Sequence, residues 1–132
     1  MKTIRWAKAL ALGAGAMDTA TGLGLVFAPV LTLGAMRVEA PAAESLVFLR
    51  WVGAFVGAVG ASYLVALARG GAARLRDVFA TTLLFRAAAG GYCACAVAAG
   101  WLEPRWATVA LTDGALVVAQ LWLLRRGDWG DA

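Results

Sequence analysis

Histidine is absent from this 132-residue chain. That removes the commonest side-chain ligand of zinc, copper and haem iron, and the side chain whose unperturbed pKa lies nearest neutrality. Cysteine is scarce: Cys93 and Cys95 stand alone, in the order C-x-C. Two thiols without an imidazole make a poor metal site. Two residues apart on a helix, they point about 200° away from one another and cannot join in a disulfide. Charge is scarce as well, at 15% of residues, where a soluble domain carries about a quarter. Such a chain would leave wide apolar areas facing water. The alternation that marks half-buried strands is missing, and the apolar blocks are too few and too long for a membrane barrel. The G-x-G of GLGL sits inside one of those blocks with no strand before it, so it carries no nucleotide signal.

What the chain has instead is oil. Its residues are 62% hydrophobic and its mean hydropathy is +0.77. The apolar residues fall into four blocks, each of the roughly 20 residues a helix needs to cross a bilayer. The expected fold is all-α: one integral membrane domain over residues 1–132, a four-helix bundle with spans near 6–28, 46–68, 78–101 and 106–124. MKTIRWAKALALGAGA resembles a signal peptide. The apolar run continues well past the candidate cleavage site, so a retained first helix is expected. Pro29 should end that helix. PVLTLGAM is then read as an interfacial turn or half-helix, and Ser45 as an N-cap for the second span. RGGAARLRD, residues 69–77, is read as a basic turn between the second and third spans.

The net charge of +4 is explained by topology rather than by nucleic acid, because the basic residues cluster at the ends of the apolar blocks. Lys2, Arg5, Lys8, Arg69, Arg74, Arg76, Arg125 and Arg126 fall on one side of an even-spanned bundle, and Arg37 and Arg105 on the other. The positive-inside rule then sets both termini in the cytoplasm of a bacterial inner membrane, N-in and C-in. Trp6, Trp122 and Trp129 fall at the inner ends and Trp51, Trp101 and Trp106 at the outer ends, as two aromatic belts. Tyr63 is also placed near the inner belt.

Asp18, Arg50, Arg86 and Asp113 remain inside the spans, one in each. Each alone would cost about 2.5–3.5 kcal/mol at the bilayer centre on insertion scales. Asp18 is ten residues outward of Lys8, Arg86 ten outward of Arg76, and Asp113 twelve from Arg125, all roughly 15–18 Å by helical rise. These three share a midplane layer, while Arg50 lies roughly 10 Å further out. The expectation is a central Asp18–Arg86–Asp113 cluster capped by Arg50, a set that sums to zero. Matched depth and neutrality favour a closed ionic lock over a proton or substrate path. Gln120 and Cys93 share the helical stripes of Asp113 and Arg86 and are candidate polar lining. Cys93 is otherwise a small packing residue. Gly15 and Gly22 flank Asp18, Gly53, Gly57 and Gly60 follow Arg50, and Gly90 follows Arg86 at spacings of three and four, as helix-packing positions. FLRWVGAFVGAVGASYL and LFRAAAGGYCACAVAAG both run from an arginine into small residues, a similarity that either a degenerate hairpin repeat or composition accounts for.

The first helix reads D-x-x-T-G-L-G-L-x-F-A-P from Asp18 to Pro29. With the four-span layout, this resembles small bacterial membrane proteins of the broad DoxX-like group, whose namesakes are membrane subunits associated with quinone-linked oxidation. The resemblance implies a four-helix bundle; quinone or lipid are the ligands it brings to mind, and no residue here is carried over as a quinone ligand. No catalytic nucleophile or metal partner accompanies Asp18 or Asp113. The leading expectation is a non-enzymatic accessory or assembly subunit that meets the lipid bilayer and other membrane subunits or its own copies. The alternatives are a small proton-coupled or ion transporter and a quinone-associated redox subunit.

Overall fold

The computed structural model describes residues 2–127 and 129. Its helices are α1 (Lys2–Phe27), α2 (Pro29–Ala35), α3 (Leu46–Arg69), α4 (Ala72–Ala98) and α5 (Ala107–Arg126), with 3-10 turns at Ala43–Ser45 and Pro104–Trp106. There is no strand among the described residues, and four of the helices are long and apolar enough to cross a membrane. One end of the bundle, here the terminal end, gathers the start of α1, the Gly70–Gly71 turn and the end of α5. The opposite end, the proline end, gathers the connections containing Pro29, Pro41 and Pro104.

Helix α1 stops where Pro29 supplies no backbone N–H and its ring disfavours further helix. Proline at the first position of a helix costs nothing, so α2 begins there. It is a real two-turn helix that folds Leu33 into the bundle, and Thr32 Oγ1 donates to the Ala28 carbonyl at 2.9 Å. Its far end closes through Val38 N–H to the Leu33 carbonyl at 2.9 Å, with Arg37 at φ 59, where glycine is usual. Ser45 precedes α3 but makes no side-chain capping bond, because its backbone is already helical at φ −82, ψ −15. The basic turn is much shorter than expected. Gly70 and Gly71, at φ 71 and 90, reverse the chain by themselves, and α4 starts at Ala72, so Arg74, Arg76 and Asp77 ride on its first turns.

Helix α1 packs along α3, and α4 along α5, giving two tight pairs that then face each other. The α1–α3 seam is made of glycine. A Cβ at Gly22 would strike the backbone of Gly57, and one at Gly53 would lie 2.6 Å from Leu25 Cβ. At Gly60 it would meet the Thr19 backbone and lie 2.8 Å from Asp18 Cβ; at Gly15 it would lie 3.0 Å from Tyr63 Cβ. In the other pair, a Cβ on Gly90 would come 2.9 Å from Asp113 Cβ. All six glycines expected at helix contacts therefore sit at helix contacts, and two of them bring neighbouring helices right against the aspartates.

Apolar packing closes both ends. Ala7, Ala11, Tyr63, Leu75, Phe79, Leu123 and Trp129 form the core at the terminal end, and Leu25, Leu33 and Val38 the smaller one at the proline end. Trp129 departs from the expected belt. Gly127, left-handed at φ 66, turns the chain back. The indole then lies edge-on to Phe79, 5.5 Å between ring centres, and donates Nε1–H to the Leu123 carbonyl at 3.1 Å. Trp106 is half-buried against the Leu25–Leu33–Val38 cluster, whereas Trp6, Trp51, Trp101 and Trp122 are exposed as belt residues should be.

Candidate functional site

Between the two apolar ends lies a layer of polar side chains, and it occupies the seam where the two helix pairs meet. Arg86 on α4 is its centre. Nη2 donates to Asp18 Oδ2 of α1 at 2.5 Å, Nη1 to Asp113 Oδ1 of α5 at 2.7 Å, and Nε to the Tyr63 hydroxyl of α3 at 3.1 Å. One planar guanidinium thus binds all three other spans, each through a different nitrogen. That fork geometry is what distinguishes arginine from lysine. The depth arithmetic for Asp18, Arg86 and Asp113 holds: residues remote in sequence and level in the membrane meet.

The network continues towards the terminal end. The Tyr63 hydroxyl donates to Thr82 Oγ1 at 2.8 Å, and Thr82 returns its proton to the Val78 carbonyl at 2.7 Å. Gln120 on α5 donates from Nε2 to the Tyr63 hydroxyl and, at 3.1 Å, to Thr82 Oγ1. Two buried acceptors find no donor: Gln120 Oε1 and Thr19 Oγ1. Tyr63 is the main correction here. It is fully buried and serves as the junction between arginine, threonine and glutamine rather than as a belt residue. Two signals in the sequence pointed to this. Tyr63 follows Gly60 by three residues on the packing stripe, and Thr82 precedes Arg86 by four on its face.

Arg50 is elsewhere. It lies exposed on α3 with its guanidinium on the Val26 carbonyl, and it forms no ion pair among the described residues. The physical reason is the break at Pro29. The last carbonyls of α1 lose their helical donors, and a cation at the negative end of a helix is stabilised there. The charge sum changes accordingly. Without Arg50, the buried set is two carboxylates and one guanidinium, not a neutral four. At an effective dielectric of about 20, two like charges roughly 5 Å apart repel by about 3 kcal/mol, so the surplus carboxylate is a significant cost.

Arg86 is 4% exposed, whereas the side chains of Asp18 and Asp113 retain 11% and 15%. Alongside them, α1 and α5 leave a crevice of about 570 Å³ lined by Leu10, Gly13, Ala14, Met17, Thr112 and Leu116, among others. Ala14 is one turn from Asp18 and Leu116 one turn from Asp113 on the same helical faces. Cys93 is half-buried beyond Gly90 and Cys95 is exposed; both are free thiols. Among the described residues no group of three His, Cys, Asp or Glu side chains is placed to hold a metal ion. At the proline end, Arg105 Nη1 donates to the Arg37 carbonyl at 2.7 Å and the Glu39 N–H reaches Glu103 at 3.4 Å, tying the two connections together beside an open cleft.

These features define a class: a helical bundle of membrane-spanning character, with a branched Asp–Arg–Asp ion pair buried at its centre. Comparison with family models, curated proteins and solved structures matched this chain to none of them.

Proposed function

We propose that the protein is a non-catalytic accessory or assembly subunit of a larger bacterial inner-membrane complex. The observation that carries this reading is the outward face of α4. Ala87, Gly91, Ala94, Cys95 and Ala98 are exposed there, and a Cβ on Gly91 would meet nothing within 4 Å. Small residues at this spacing favour close helix–helix contact in a bilayer, and no helix of this chain covers them. The polar groups, by contrast, are consumed inside the bundle, where they bolt the two helix pairs together. The asymmetry of Lys and Arg supports a topology with both termini cytoplasmic. The helix-one motif supports a DoxX-like kinship as part of the same proposal. Gentle solubilisation followed by native mass spectrometry tests the reading: co-purifying membrane subunits support it, and a homo-oligomer alone counts against it.

A second reading, a small proton-coupled transporter, is favoured by one observation. The buried site has one more carboxylate than cation, and intramembrane ionisable groups of this kind often lie on proton paths. Proton flux in liposomes, lost on Asp113→Asn, would support it.

A further inference from the structure

We propose that Asp18 and Asp113 hold one exchangeable proton between them at neutral pH, so that the centre of the bundle is a single-proton binding site. This holds whether the protein is an accessory subunit or a transporter.

Every charged or titratable group that could balance the pair can be placed. From α1 the pair is faced by Asp18 itself, from α3 by Tyr63, from α4 by Arg86 with Cys93 further along the same face, and from α5 by Asp113. Arg50 is engaged by Val26. Lys8, Arg76 and Arg125 are ten to twelve residues away along their helices, roughly 15–18 Å. Helix α2 carries no ionisable side chain. One guanidinium therefore answers two carboxylates, in a layer where uncompensated charge is costly. A single proton restores neutrality without any further cation.

A second observation is independent of the charge count. Gln120, 1% exposed, spends its amide donor on Tyr63 and Thr82, while its Oε1 is buried with no donor at all. Asp18 Oδ1 and Asp113 Oδ2 likewise have no partner among the described residues. The whole network is short of hydrogen, at both of its levels. Exchange is possible without parting the four helices, because the two carboxylates are its least buried ionic members and the α1–α5 crevice runs beside them. Towards either end, the Phe79–Trp129 stack and the Leu25–Leu33–Val38 cluster close the way.

The test is infrared spectroscopy of the full chain in lipid nanodiscs, reading the C=O stretch of protonated carboxyl groups. At pH 7 the remaining acidic residues lie outside the spans and are ionised, so the wild type should show one protonated carboxyl per chain. That band should shift on exchange into D2O and disappear as the pH is raised. Asp18→Asn and Asp113→Asn, each of which fixes the neutral charge count, should abolish it while circular dichroism shows a folded bundle. The double variant should fold poorly, because Arg86 then has no counter-charge. A wild type with no such band at pH 7 overturns the proposal, as does a band that survives in both single variants. A band that is absent and a stability that depends on sodium would assign the site to a cation instead. The wild-type spectrum decides the question even if a variant fails to fold.

Discussion

Arg86 is the residue on which the interior of this bundle depends, because a single planar group satisfies acceptors on three helices. Replacing it by glutamine removes the only cation from the pair and leaves two buried carboxylates facing each other. The expected cost is about 3–5 kcal/mol, the range for breaking a buried ion pair from one side. It should appear as a large drop in thermal midpoint or loss of monodisperse protein in mild detergent. Arg86→Lys should recover only part of this, since an ammonium is a point charge without the fork that reaches both aspartates and Tyr63. Tyr63→Phe is the finer probe. It leaves the ring stacked on Phe79 at 5.8 Å but strands Arg86 Nε and the Gln120 amide. The loss should be about 1–3 kcal/mol with the helical circular-dichroism spectrum unchanged.

Glycine dictates how closely the elements approach. Gly22 faces the backbone of Gly57 with no room for a methyl group, so Gly22→Ala must push α1 and α3 apart. Overpacking of this kind costs about 1–3 kcal/mol. It should also loosen the polar layer, because Asp18 rides on the same face of α1. Gly13, with open space around it, is the internal control: Gly13→Ala should leave the thermal midpoint unchanged or slightly raised, as alanine favours helix. The returning tail is an element in its own right. Trp129→Ala empties the space under Phe79 and frees the Leu123 carbonyl, at an expected cost of about 3–5 kcal/mol. Thermal melts of the three variants side by side, read by circular dichroism, rank these effects.

At the scale of the whole molecule, the bundle is two glycine-sealed pairs joined by a polar seam, with apolar closures at both ends. The four spans place the Gly70–Gly71 turn on the side of the termini and the Ala43–Ser45 connection on the other. In a background with Cys93 and Cys95 replaced by serine, Glu44→Cys should react with an impermeant thiol reagent added to intact cells, and Gly71→Cys only after permeabilisation. The opposite pattern would reverse the proposed orientation.

By itself the sequence determined the number of spans, their approximate limits, the level at which Asp18, Arg86 and Asp113 sit, and the glycines of the α1–α3 seam. Each of these follows from one-dimensional quantities: the length of an apolar run, the rise per residue of a helix, and spacing by three and four. Only the tertiary structure decided which groups share a site. Arg50 is level enough with the cluster to be counted with it, yet the α1 carbonyls freed at Pro29 compete for it and win. Trp129 has the composition of a belt residue, but a left-handed Gly127 returns it to the core. Tyr63 reads as interfacial until Arg86, Thr82 and Gln120 converge on its hydroxyl from two other helices. Depth is a property of one helix, whereas partnership depends on how four helices rotate against one another. That rotation changed a neutral set of four charges into a site with one carboxylate to spare.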